Sequence, residues 1–63
     1  MSKLKQIRES KNLSQSQLAD ESGVNIRMIQ HYEQGSKDIN KVQANTLLKL
    51  SKVLGCNIED LLE

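Results

Sequence analysis

A chain of 63 residues holds one domain at most, and a domain of that size hides only about 60% of the surface its unfolded form exposes. Hydrophobic residues at 37%, charged residues at 27% and a formal net charge of +1 exclude a disordered polyelectrolyte. The absence of Trp and Phe, with one Tyr, makes the core aliphatic, and a single Cys excludes an intrachain disulfide framework.

Helix signals follow one another along the chain. Leu4 and Ile7 set an apolar stripe over residues 2–10, with Lys and Arg on the outside and Asn12 as the stop. Ser14 predicts an N-cap, Gln17 three residues on closes a capping box, and Leu13 and Leu18 form the hydrophobic staple. Gly23 is placed to end that helix in the left-handed conformation. Asn25 caps the next helix, with Val24 and Ile29 as its staple, and Gly35 stops it. Asn40 and Gln43 make another capping pair, opening a helix that Gly55 ends. Asn57 caps a last short helix, stapled by Cys56 and Leu61. No segment alternates with period two for long enough to be a strand. The expected fold is all-α, with five helices over about 2–10, 14–22, 25–33, 41–54 and 58–62. One domain is expected to span residues 1–63, without linker or repeat.

The second and third helices are short and are joined by the tight turn Ser22, Gly23 and Val24, which is the definition of a helix-turn-helix. Ala19 is small where the two helices cross. At 100° per residue, Ile29 and Tyr32 share one side of the third helix with Val24, and Ile26, Arg27, Gln30, His31 and Gln34 share the other. An apolar back and a hydrogen-bonding front suit a major groove, where base edges present distinguishable donors and acceptors.

These positions carry a resemblance. Leu4, Ile7, Arg8, Leu13, Ser14, Gln15, Leu18, Ala19, Gly23, Val24, Ile29, Tyr32, Glu33 and Gly35, with Leu47, Leu50, Leu54, Gly55, Ile58, Leu61 and Leu62 behind them, resemble the Cro/C1-type (XRE-like) helix-turn-helix DNA-binding domain of phage and bacterial repressors. The resemblance covers nearly the whole chain. It implies a compact five-helix, lambda-repressor-like domain that binds double-stranded DNA sequence-specifically, as a transcriptional regulator of the repressor kind.

The resemblance also implies roles. Asn25, Ile26, Arg27, Gln30 and His31 are the expected base readers. Arg27 suits guanine O6 and N7, Gln30 suits adenine or a phosphate, and Ile26 suits a thymine methyl. Four of them have a plainer alternative: Asn25 as the helix cap, Arg27 as a solvated arginine, Ile26 and His31 as ordinary exposed residues. Phosphate contacts are expected from Ser14 and Gln15 at the start of the second helix, where free N–H groups favour an anion, and from Gln34, Lys37 and Lys41, the two lysines reading equally well as solvated side chains. Basic residues of the first helix are expected to add to these. Arg8 and Glu33 are implied as a partly buried ion pair between the first and third helices.

Other functions find little support. One His and one Cys far apart make no metal-ligand set, and no nucleophile–base pair has recognisable spacing, so no metal, cofactor or enzymatic activity is expected. Cys56 reads as a near-core hydrophobe without a redox role. No apolar run approaches the roughly 18 residues of a membrane span, and no signal peptide is evident, so the expected location is cytoplasmic and no membrane partner is expected. Residues 1–12 and 25–54 are basic in balance, and Glu59, Asp60 and Glu63 form an acidic end that masks them. The expected partner is a palindromic operator bound by a homodimer, with Leu48 and Val53, off the main stripe of the fourth helix, joining Leu61 and Leu62 either as the contact between copies or as extra core. Two other assignments stay open: the antitoxin of a toxin–antitoxin pair, or a helix-turn-helix fold used only for protein–protein contact, which the low net charge and acidic end favour.

Overall fold

The first three helices each begin where a polar side chain accepts one of the first free N–H groups. The computed structural model describes residues 2–63; Met1, counted in the expected domain span, lies outside the described residues. Ser2 caps α1 (Lys3–Ser10), its hydroxyl accepting from the Lys5 N–H at 3.1 Å. Asn12 then takes a left-handed turn, φ 58°, which asparagine tolerates better than most residues.

Ser14 opens α2 (Gln15–Ser22) with a full capping box: its hydroxyl accepts from Gln17 N–H at 3.0 Å, and its own N–H donates to Gln17 Oε1 at 2.8 Å. Gly23, φ 75°, ends α2 and turns the chain into α3 (Ile26–Gln34). A side chain at Gly23 would meet open space, so the left-handed backbone rather than crowding is what calls for glycine here. Asn25 caps α3 through Oδ1, which accepts from Arg27 N–H at 2.8 Å.

The second half of the chain departs from expectation twice. The capping pair of Asn40 and Gln43 does not form. Asp38 Oδ1 accepts from Asn40 N–H at 2.9 Å and winds Ile39–Lys41 into a short 3-10 turn. That turn drives Ile39 into the core at 4% exposure, and α4 (Ala44–Leu54) starts only afterwards, with Gln43 as an N-cap whose side chain makes no cap bond. The expected fifth helix is likewise a 3-10 turn, Ile58–Leu61, in which Asn57 N–H donates to Asp60 Oδ2 at 2.9 Å. Leu61, the last residue of that turn, is fully buried, so it is core rather than part of a surface patch. The described residues thus form four α-helices and two 3-10 turns, with no strand.

Leu4, Leu18, Ile29, Leu50, Leu54 and Leu61 are sealed from solvent, and Val24, Tyr32, Ile39 and Leu47 complete the cluster. Each buried aliphatic side chain contributes about 1.5–3 kcal/mol relative to exposure, before the entropy of ordering the chain is subtracted. α2 packs on both α3 and α4, and α1 bridges α3 and the closing turn. The chain ends meet: Glu63 N–H donates to Asn40 Oδ1 at 2.9 Å, and Glu63 Oε1 accepts from Lys3 N–H at 2.8 Å. No buried side-chain nitrogen or oxygen among the described residues lacks a partner, and no helix among them is long and apolar enough to cross a membrane.

Candidate nucleic-acid interface

The joint behind α3 is polar. Arg8 sits on the inner side of α1, one turn from Leu4, and its guanidinium forks onto Glu33 near the end of α3. Nε donates to Oε2 at 2.7 Å and Nη2 donates to Oε1 at 3.0 Å. The third arm, Nη1, donates to the Leu13 carbonyl at 2.7 Å, tying the α1–α2 link to the same point. The two side chains are only 9% and 3% exposed. Glu33 raises the arginine's pKa above its ordinary value by hydrogen bonding, more than burial lowers it, so Arg8 stays charged. A bidentate, planar contact of this kind fixes orientation as well as distance.

Gln15 belongs to this joint as well. Its Nε2 donates to Glu33 Oε1 at 3.0 Å, across 18 positions of sequence. Neither spacing nor composition signals that contact. The only hint is that Gln15, at the first position of α2, faces the side of α3 where Glu33 must lie if it reaches Arg8.

The front of α3 is open. Arg27 and Gln34 are exposed, Ile26, Gln30 and His31 are partly so, and Ile29 and Tyr32 close the back. Asn25 is exposed at the entry end, with Oδ1 spent on the cap. His31 Nδ1 lies 3.3 Å from Ser36 Oγ, which links the last turn of α3 to the loop that follows. At the α2 N-terminus Ser14 is exposed and Gln15 is partly covered, and the Gln15–Glu33 bond brings that end of α2 against the last turns of α3.

The lysines divide into two groups. Lys37 and Lys41 are exposed in the loop after α3, and Lys37 Nζ rests 4.0 Å from Met28 Sδ. Gln34 and Lys37 share a shallow groove with Asp38 and Glu63, so acidic groups border that end of the surface. Lys3 and Lys11 lie elsewhere: they line a groove with Leu54, Cys56, Glu59 and Asp60. The first helix therefore turns part of its charge toward the acidic end of the chain and not toward the α3 front. Burial pushes the Cys56 thiol up from its usual value, Asp60 adds to this, and Lys11 opposes it. Burial likewise raises the Tyr32 phenol. No group of three His, Cys, Asp or Glu side chains among the described residues is arranged to hold a metal ion.

The arrangement of two short helices at a glycine turn, one of them presenting a polar front, has a counterpart in known sequences. Residues 4–61 match the helix-turn-helix family, and the chain belongs to that family in its Cro/C1-type form. It is a family of DNA-binding domains of transcription regulators, not of enzymes. No curated protein and no solved structure matches the chain.

Proposed function

We propose that the chain is a transcriptional repressor whose one domain reads an operator in the major groove with α3, as a homodimer on a palindrome. The observation that carries this is the division of α3 into a sealed back, Ile29 and Tyr32, and an open front from Asn25 to Gln34. In this reading Arg27 pairs with a guanine and Gln30 with an adenine, each good bidentate contact being worth about 1–3 kcal/mol against the wrong base. Asn25 donates through its amide nitrogen, because its oxygen caps the helix. Ile26 meets a thymine methyl, and His31 a base edge near the end of the helix. Ser14, Gln15, Gln34, Lys37 and Lys41 hold the flanking phosphates. The chain then works where the DNA is, in the cytoplasm.

Size supports the dimer. The longest extent of the chain is 24 Å. Successive major grooves on one face of a duplex are about 34–36 Å apart, so reading two of them takes two copies. The front of α3 must stay free, which puts the contact between copies at the opposite end. There Leu48 is 41% exposed and borders a groove with Cys56, Ile58 and Leu62.

Selection of bound duplexes from a random pool is the test. The expected product is a palindrome with half-site centres roughly 10–10.5 base pairs apart. Insertion of about five base pairs rotates one half-site to the opposite face and abolishes tight binding. Affinity must also fall steeply with salt, because phosphate contacts release counterions. A flat salt response with random duplex DNA would favour a protein–protein role instead, and undiminished affinity for the spaced site would remove the dimer.

A further inference from the structure

We infer that Glu33, which itself has no access to DNA, is a positioning residue for the grip on the DNA backbone: it holds the Gln15 amide so that a hydrogen-bond donor faces the phosphate. The inference rests on the groove-reading role proposed for α3, and assigns Glu33 a part that an ion pair with Arg8 does not require.

Three observations carry it. The Glu33 side chain is 3% exposed and anchored from behind by Arg8 Nε and Nη2, so Oε1 is a fixed point. Gln15 Nε2 donates to that same oxygen at 3.0 Å. Gln15 is itself only partly covered, at the first position of α2, next to the exposed cap residue Ser14.

The chemistry follows from the amide's asymmetry. A carboxylate only accepts, so it selects the nitrogen end of the Gln15 amide. That nitrogen carries two hydrogens, and Glu33 takes one. The second is left as a donor for an anion. An unrestrained glutamine would present its carbonyl oxygen to a phosphate as readily as its nitrogen, and would lose rotamer freedom on binding. Glu33 removes the wrong orientation and part of that loss before DNA arrives. A bare carboxylate beside a phosphate would repel it, and here Arg8 supplies the neutralising charge and stays protonated while it does so.

A purely structural Gln15–Glu33 contact predicts effects on stability alone, so the test reads DNA binding and side-chain order. Fluorescence anisotropy is measured with a selected duplex and with a random duplex. Gln15→Ala is expected to weaken both by about tenfold, with base preference unchanged. In an Arg8→Met/Glu33→Leu background, shown to be folded by circular dichroism, the same substitution is expected to weaken binding by less than about threefold, because the amide there is no longer oriented. The wild-type protein gives a second readout that needs no variant. The Gln15 side-chain NH₂ should be as ordered in the free protein as rigid backbone, with an order parameter near ~0.85, and one of its two protons should shift on adding DNA. A mobile amide, an equal tenfold loss in both backgrounds, or no loss with Gln15→Ala would each overturn the role of Glu33 while leaving DNA binding intact. Failure of the wild-type protein to bind any duplex overturns the groove-reading role, and the inference with it.

Discussion

Two joints hold this molecule, and they are built from opposite materials. α1, α2 and α3 meet at Arg8, Glu33, Gln15 and the Leu13 carbonyl, a set of charged and amide groups at 2.7–3.0 Å. α4 and the closing turn meet the rest through Leu47, Leu50, Leu54 and Leu61, with no ion pair among the described residues at that contact. An apolar joint tolerates volume-conserving exchange, because dispersion and burial have little direction. A forked ion pair does not, because its geometry is satisfied in one arrangement. The difference teaches where orientation matters: the polar joint lies directly behind the helix whose front is proposed to meet base edges, and the dry joint holds α4 and the closing turn.

The comparison is broken most severely by Arg8→Ala. Glu33 would be left charged, buried and unpaired, at a cost of about 3–5 kcal/mol in urea melts. Arg8→Met combined with Glu33→Leu should recover much of that loss, which would show that the pair serves geometry more than stability. A loss for the single change below about 0.5 kcal/mol would mean an exposed and unimportant pair.

Leu50→Ala tests the dry joint. Its fully buried side chain should cost about 2–5 kcal/mol on truncation, whereas Leu50→Met should cost less than about 1.5. If the methionine variant lost as much as the alanine variant, the apolar joint would be as exacting as the polar one, and the contrast would fail.

Arg27→Ala separates stability from reading. The side chain is exposed, so melting should change by less than about 0.5 kcal/mol. Selected duplexes should lose their preference at one position of each half-site, worth about 1–3 kcal/mol there. An unchanged consensus would remove Arg27 from the reading surface.

The smallest effect concerns Cys56, on the dry side. Burial raises its thiol pKa, so the folded protein holds the proton at a pH where the unfolded chain has begun to lose it. Native stability therefore falls as pH rises through the ordinary thiol value, and Cys56→Ala should remove that slope. Alkylation near pH 8 should also be slower for the native protein than for the protein in urea, since the thiolate is the reactive form. Equal rates would show that the closing turn leaves the sulfur open.

What was legible in the sequence depended on how far apart the partners are. The caps at Ser14 and Asn25 use residues two or three positions away, so the starts of α2 and α3 are written locally. The two faces of α3 follow from its period, and so does the burial of Ile29 and Tyr32. Asn40 misleads because its side chain engages Glu63, 23 positions on, and its backbone N–H is taken by Asp38, whose pull is toward a 3-10 turn. Leu61 misleads for a related reason: it closes the 3-10 turn with its side chain fully buried, while Leu62 already lies in extended backbone beyond the turn and is half-exposed, so the two do not form one patch. The resemblance implied that Arg8 and Glu33 meet, but the amide of Gln15 on the same carboxylate is a tertiary fact that no pattern of spacing contains.

The hydrogen bonds at Glu63 have a kinetic consequence. The bond from Lys3 closes a loop across 60 positions, nearly the full length of the chain, and the Asn40 amide fastens the same residue from a second direction. Local helices form far faster than so long a loop can be pinned, so the clasp is the last element to close during folding. It is also exposed and holds little apolar surface, which makes it the first to open. In hydrogen exchange the Lys3 and Glu63 amides should trade with solvent through this local unfastening, at rates insensitive to added denaturant. The amides of α2 and α4 should wait for the whole molecule to unfold. The ring that the chain forms is thus a latch, and the cooperative unit lies inside it.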